Sequence, residues 1–157
     1  MRRLVTVLLG VALLAGCGVR PTPPVGGGDA PRGVAEGPTL YFLRGGSLVP
    51  VVRKLGKLGD YPTALRELFY GIAEDDPPGL TSALPTAGFG ELTAGVTQRN
   101  TVEVRVLRGD GRPLTLSGPA LDQIACTVSA RHLAADRVYS VESVIVNEVP
   151  RRCPIGV

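Results

Sequence analysis

The sequence predicts an α+β domain: a largely antiparallel sheet with two helices on one face, in the order strand(s), helix, strand, strand, helix, strand. Three observations predict it. Val102, Val104 and Val106 in "TVEVRVLR" alternate with the period of two that marks a half-buried strand. Two other stretches, "YPTALRELFY" and "SGPALDQIACTVSARHL", carry apolar residues at helical spacing. Turn residues separate these runs, drawn from 21 glycines and 14 prolines in 157 residues.

The elements follow in order. "TLYFLR" (39–44) is strand-like, and Gly45-Gly46 leads into "SLVPVVRKL" (47–55), so the pair reads as a hairpin or as one bent strand. Pro50 lacks an N–H, which places the second run at an edge or a bulge. Pro62 suits a first helical turn, and Leu65, Leu68, Phe69 and Ile72 recur at helical spacing. Gly71 is a candidate stop, because glycine tolerates the left-handed conformation. Pro77-Pro78-Gly79 then forces a loop. "ELTAGVTQ" (91–98) and "TVEVRVLR" (101–108) flank Arg99-Asn100, the right length for a two-residue hairpin turn. Ser117 is a plausible cap for the second helix, whose apolar face holds Leu121, Ile124, Ala125 and Val128. "RVYSVESVIVNEV" (137–149) is rich in β-branched residues and reads as a last strand, completing a packing of the split βαβ kind.

Ahead of this domain, Arg2 and Arg3 precede an almost uncharged run from Leu4 to Ala15. Twelve helical residues reach roughly 18 Å, short of a bilayer core of about 30 Å, so the pattern is that of a secretory signal peptide. Leu14-Ala15-Gly16-Cys17 resembles the lipobox of bacterial lipoproteins. That resemblance implies a signal peptide over 1–16, cleavage before Cys17, and a diacylglycerol thioether on Cys17 that makes membrane lipid its first partner. Two or three acyl chains anchor stably where one holds weakly. The ordinary alternatives are a signal peptide in which Cys17 is incidental, or a short uncleaved anchor. Residues 17–38 then form a lipidated cysteine and a Gly/Pro-rich linker, too poor in apolar side chains to offset ordering entropy. The α+β domain takes 39–157.

Charge excludes one class of partner. The whole chain is +3, and loss of Arg2 and Arg3 leaves 15 basic against 14 acidic side chains, so no nucleic-acid partner is expected.

Four stretches together resemble the GerMN domain of bacterial sporulation and germination lipoproteins and related actinobacterial lipoproteins. They are "LYFLRGGSLVPVVRKL", "PTALRELFYG", "GLTSALP" (79–85) and "ALDQIACTVSA" (120–130), in that order behind the lipobox. The resemblance covers about 39–149. It departs after the first helix, where many members have Gly-Pro-Thr and this chain has Gly71-Ile72-Ala73 followed by "EDDPPG". It implies an α+β ligand- or protein-binding module of the cell envelope, coupled to sporulation, germination or membrane signalling, and it implies no reaction and no cofactor.

Candidate chemistry is sparse. In an oxidising extracytoplasmic space, Cys126 and Cys153 remain as an even pair and are expected to form a disulfide; the alternative is a buried helical thiol and an unpaired tail thiol. Two cysteines and one histidine at this spacing do not make a metal site. His132, near the end of the second helix, is expected as a cation that suits the helix dipole. Glu74, Asp75 and Asp76 lack the alternating oxygen ligands of a calcium loop and read as solvated. "GFGELTAG" (88–95) precedes a strand rather than a helix and fails the dinucleotide pattern. The leading expectation is a lipid-anchored, non-enzymatic module whose partner is another envelope protein. A binder of small molecules or cell-wall fragments is the alternative and would need an enclosed pocket. An enzyme would require residues such as His132, Asp122 and Glu142 to converge in space.

Overall fold

The computed structural model describes residues 37–98, 100–135 and 140–156. The proposed signal peptide, Cys17 and nearly all of the linker lie outside the described residues, as do Arg99 of the predicted turn and the start of the predicted last strand. The domain is α+β, with two helices and strands that are mostly antiparallel, as the sequence predicts.

Strands β1 (Thr39–Arg44) and β2 (Ser47–Val52) pair antiparallel, so the first two runs are a hairpin and not one bent strand. Gly45 and Gly46 both take positive φ, 56° and 84°, as a two-residue turn matched to strand twist requires. Pro50 lies opposite Tyr41 on β2, an edge strand, where a missing N–H is tolerated. Helix α1 (Tyr61–Tyr70) is capped by Asp60, whose carboxylate accepts from Thr63 N at 2.8 Å. It stops at Gly71, with φ of 88°. Ile72 therefore falls beyond the helix and is exposed, a correction to its expected place on the apolar face.

Strands β3 (Phe89–Gln98) and β4 (Thr101–Arg108) form the second hairpin. Helix α2 (Gly118–Ala135) follows, and the Ser117 hydroxyl accepts from Ala120 N at 3.4 Å. Strand β5 (Ser143–Val146) then pairs parallel with β4, and β6 (Val149–Arg151) pairs antiparallel with β5. The sheet order is β3-β4-β5-β6, with β1-β2 as a separate sheet. Three details differ from the expectation. The strands form two sheets, β6 is an additional element, and β4-α2-β5 joins direct neighbours, so the crossover is not split.

The reason for two sheets lies on α2. The outer edge of β1 is met by side chains of that helix instead of by another strand. Tyr41 N donates to Thr127 Oγ1 at 3.1 Å, and Gln123 Nε2 donates to the Tyr41 carbonyl at 2.8 Å. Gln123 Oε1 also accepts from Ala83 N at 2.8 Å, fastening the loop of "GLTSALP". Helix α2 is consequently buried almost all round between Ala120 and Ser129, broader than the single apolar face its leucines suggest. One core joins Leu40 and Phe42 of β1, Leu65 and Leu68 of α1, the three alternating valines of β4, Ile124 and Val128 of α2, and Val144 and Val146 of β5.

Candidate interaction surface

Cys126 and Cys153 are bonded, with Cα atoms 4.5 Å apart. Four residues before Cys126 on α2, Asp122 reaches Arg151 at 3.4 Å, two residues before Cys153. The spacings match: four helical residues rise about 6 Å and two extended residues about 6.6 Å. The disulfide thus pins the tail to the second helix and is structural.

The remaining polar candidates are held inside the fold. His132 sits in the last turn of α2 but is buried, and its Nδ1 shares a hydrogen bond with the Tyr61 hydroxyl. The Arg131 guanidinium lies 4.6 Å from the centre of the Tyr61 ring and donates to the Gly59 carbonyl, joining the helices. His132 is therefore a packing residue between helices as well as a residue of the helix terminus. The acidic loop is corrected at one position: Asp76 is buried against Arg53 at 2.9 Å and accepts from Ala73 N at 2.8 Å, while Glu74 and Asp75 are exposed. Asp122, His132 and Glu142 are not brought together. Asp122 and His132 are ten residues apart on α2, about 15 Å along its axis. Glu142 lines a depression with Ser129, Ser140 and Arg152, and neither Asp122 nor His132 is among its lining residues. Among the described residues, no three metal-ligating side chains cluster, and no helix is long and apolar enough to cross a membrane.

What the fold leaves open is the four-stranded sheet. Its core-facing side carries Leu92, Val102, Val104, Val106, Val144 and Val146, covered by the helices. Its other side shows Thr93 opposite Arg105 and Gly95 opposite Glu103, with Arg105 Nε 3.0 Å from Glu103. A depression of about 310 Å³ lies over Thr93, Gly95, Thr97 and this ion pair. A second, of about 210 Å³, continues past Leu107 and Pro113. Small side chains on β3 make the hollow, and it is open to solvent.

The edge of that sheet is open too. Val106 directs its backbone groups to Asn147: Val106 N donates to Oδ1 at 2.9 Å and Nδ2 donates to the Val106 carbonyl at 2.9 Å. The Val104 carbonyl accepts from Asn147 N at 3.0 Å. Opposed residues of an antiparallel ladder alternate between bonding each other and bonding away. Leu92, opposite Val106, and Ala94, opposite Val104, therefore turn their N–H and C=O outward, and Val96 follows by the same alternation. No described strand pairs with this edge.

The other edges are guarded. β6 has three residues, one of them Pro150, and runs into the disulfide. β2 carries Pro50, and β1 is met by Gln123 and Thr127. β3 has ten residues, no proline and one charge, Glu91. Such an edge is a template for strand pairing. The signal was present in "FGELTAGVTQ", but its place at an edge depends on pairings that the stretch itself does not encode.

Compared with protein-family models, curated proteins and solved structures, the chain shows no match.

Proposed function

We propose that this chain is a lipid-anchored module on the extracytoplasmic face of a cell membrane, held through Cys17, that acts by binding another envelope protein and not by catalysis. The observation that supports it best is the long unguarded edge of β3 beside an uncovered sheet face. Strand addition at such an edge gives affinity through main-chain bonds without demanding a pocket. The GerMN-like motifs agree with this reading and suggest a place in sporulation, germination or envelope signalling. Binding of a small molecule or cell-wall fragment has less support, since the depressions are open and small-ligand sites enclose most of their ligand.

The first test is intact mass of the chain from membranes, with and without Cys17→Ser. The expected mass begins at Cys17 and carries diacylglycerol, and the variant loses both the modification and the membrane fraction. An unmodified chain would sink the anchor. The second test places a photo-crosslinking residue at Thr97, with Arg112 as control. A discrete protein adduct from Thr97 alone is expected; no adduct from either position would sink the protein-binding reading.

A further inference from the structure

We infer that the domain seats one end on the lipid surface through Val52, Leu55, Tyr70 and Ile72, so that the anchored chain stands on the membrane in one orientation. The inference deepens the lipid-anchored reading above and rests on it.

Eight large apolar residues are exposed among the described residues, and those scattered singly need no explanation. Val96, Leu133, Val149 and Ile155 are of that kind, on β3, α2, β6 and the tail. The other four gather round one junction. Arg53 Nη2 donates to the Gly71 carbonyl and pairs with Asp76, which ties the end of β2 to the end of α1. Val52 and Leu55 lie within two residues of Arg53, and Tyr70 and Ile72 flank Gly71. They are 52%, 38%, 72% and 43% exposed, in that order. One open depression of about 340 Å³ runs across this junction from Val52 and Lys54 to Asp75 and Pro77.

What singles out lipid as the occupant is the place where the chain from Cys17 arrives. Arg53 N donates to the Pro38 carbonyl at 3.0 Å. A Cβ on Gly37 would fall 1.7 Å from the Arg53 carbonyl oxygen and 3.0 Å from Leu55 N, so the chain enters the domain pressed against this junction. Nineteen residues, 18–36, separate that entry from Cys17, and a Gly/Pro-rich chain of this length reaches roughly 25 Å. The anchor thus holds the junction at a high effective concentration of bilayer. The residue types suit an interface: aliphatic side chains, a tyrosine with a polar tip, and the long stems of exposed Lys54 and Lys57. Exposed Glu74 and Asp75 balance the two lysines, so the contact is apolar and does not select anionic lipid. Phe89 packs on Phe69 with ring centres 4.9 Å apart, and Gln98 lies nine residues, about 30 Å, further along β3. The far part of the β3 edge is therefore remote from the lipid contact and stays open to a protein partner.

The experiment uses the full lipidated chain in phosphatidylcholine vesicles whose acyl chains carry bromine, with an environment-sensitive fluorophore on Lys57→Cys or, as control, Gln98→Cys. Bromine is expected to quench the label at 57 and spare the label at 98. Salt at about 1 M, with a screening length of about 3 Å, is expected to change neither. Val52→Ser, Leu55→Ser and Ile72→Ser together are expected to move the seated-to-lifted ratio about tenfold or more toward lifted, since each forfeits part of an apolar burial. Ile155→Ser is expected to leave that ratio unchanged. An unchanged urea midpoint checks that the triple variant is folded, and the comparison of labels at 57 and 98 needs no such variant. Equal quenching at 57 and 98, quenching lost in salt, or quenching kept in the folded triple variant would overturn the inference. So would protection of the label at 57 from iodide in the unanchored Cys17→Ser chain without vesicles, which would give the junction to residues 18–36 instead. An unmodified mass at Cys17 fails the anchor itself, whereas a diacylglycerol mass with equal quenching fails only the seating.

Discussion

Asn147 does the work of a missing strand residue. Its φ of 45° and that of Glu148, 69°, make the tight turn between β5 and β6. Its side-chain amide meanwhile copies a peptide group, bonding both N–H and C=O of Val106 and donating to the Leu114 carbonyl at 3.0 Å. Asn147→Ala loses those bonds and strains the left-handed backbone, so a loss of about 2–4 kcal/mol is expected in urea unfolding. Asn147→Gly relieves the backbone but not the bonds, and its loss is expected to be smaller by about 1 kcal/mol. Equal losses would mean the backbone conformation is unimportant. Val102, Val104 and Val106 were legible because burial on one sheet face imposes a period that any window of the chain displays. Asn147 was not, since "VNEV" lacks the glycine that usually announces such a turn. Nor was Gln123, whose partner on β1 lies 82 residues away. For the surface residues Thr93 and Gly95, function depends on what does not cover them, and that is settled by tertiary pairing alone.

Elements in this domain are terminated by polar side chains and held by crosslinks. For α1, hydrogen bonds from the Thr63 hydroxyl and N–H hold the Asp60 carboxyl below its ordinary 3.8. A carboxyl lowered by folding contributes stability that is full above the ordinary value and is lost as pH falls through the folded one. Asp60→Ala is expected to cost about 1 kcal/mol at neutral pH. Asp60→Asn keeps a capping acceptor but does not titrate. Its stability difference from the native chain, followed by urea unfolding from pH 7 to 2.5, is expected to shrink in acid; a constant difference would show that the cap charge is irrelevant. For β6, three residues with one proline form too short a strand to hold alone. The disulfide across 27 residues contributes roughly 3–4 kcal/mol by loop entropy. Cys126→Ala with Cys153→Ala is expected to lower stability by about that amount and to release the β6 amides to exchange. Preserved β6 protection would assign the strand's order to Asp122–Arg151 instead. This brevity also explains why the sequence ended the fold one strand early: the run up to Val149 has the composition of a strand, while Pro150 and Arg151 beyond it carry none of its signals.

Across the whole domain, two separate sheets are made into one cooperative unit by α2, which lies between them. Its Gln123 and Thr127 bond the N–H and C=O of Tyr41 on β1, its Ile124 and Val128 meet the core shared with β4 and β5, and Cys126 holds the tail. Neither sheet has a core of its own, because Leu40 and Phe42 belong to the same cluster as Val104 and Val146. The Arg53–Asp76 pair, 10% and 5% exposed, adds a buried tie between the end of β2 and the loop after α1. If that is right, the β1–β2 hairpin cannot unfold while the four-stranded sheet stays folded. The chain has no tryptophan and four tyrosines; in a Tyr139→Phe background, tyrosine fluorescence comes from Tyr41 on β1 and Tyr61 and Tyr70 on α1, while far-UV circular dichroism reports all elements. The two urea transitions are expected to coincide in midpoint and slope. Truncation at the junction, Ile124→Ala, should shift both together by about 2–4 kcal/mol, the cost of a core cavity. An earlier tyrosine transition, or an Ile124→Ala effect confined to one probe, would show that the hairpin is an independent unit, and α2 would then be a neighbour of two sheets instead of the element that unites them.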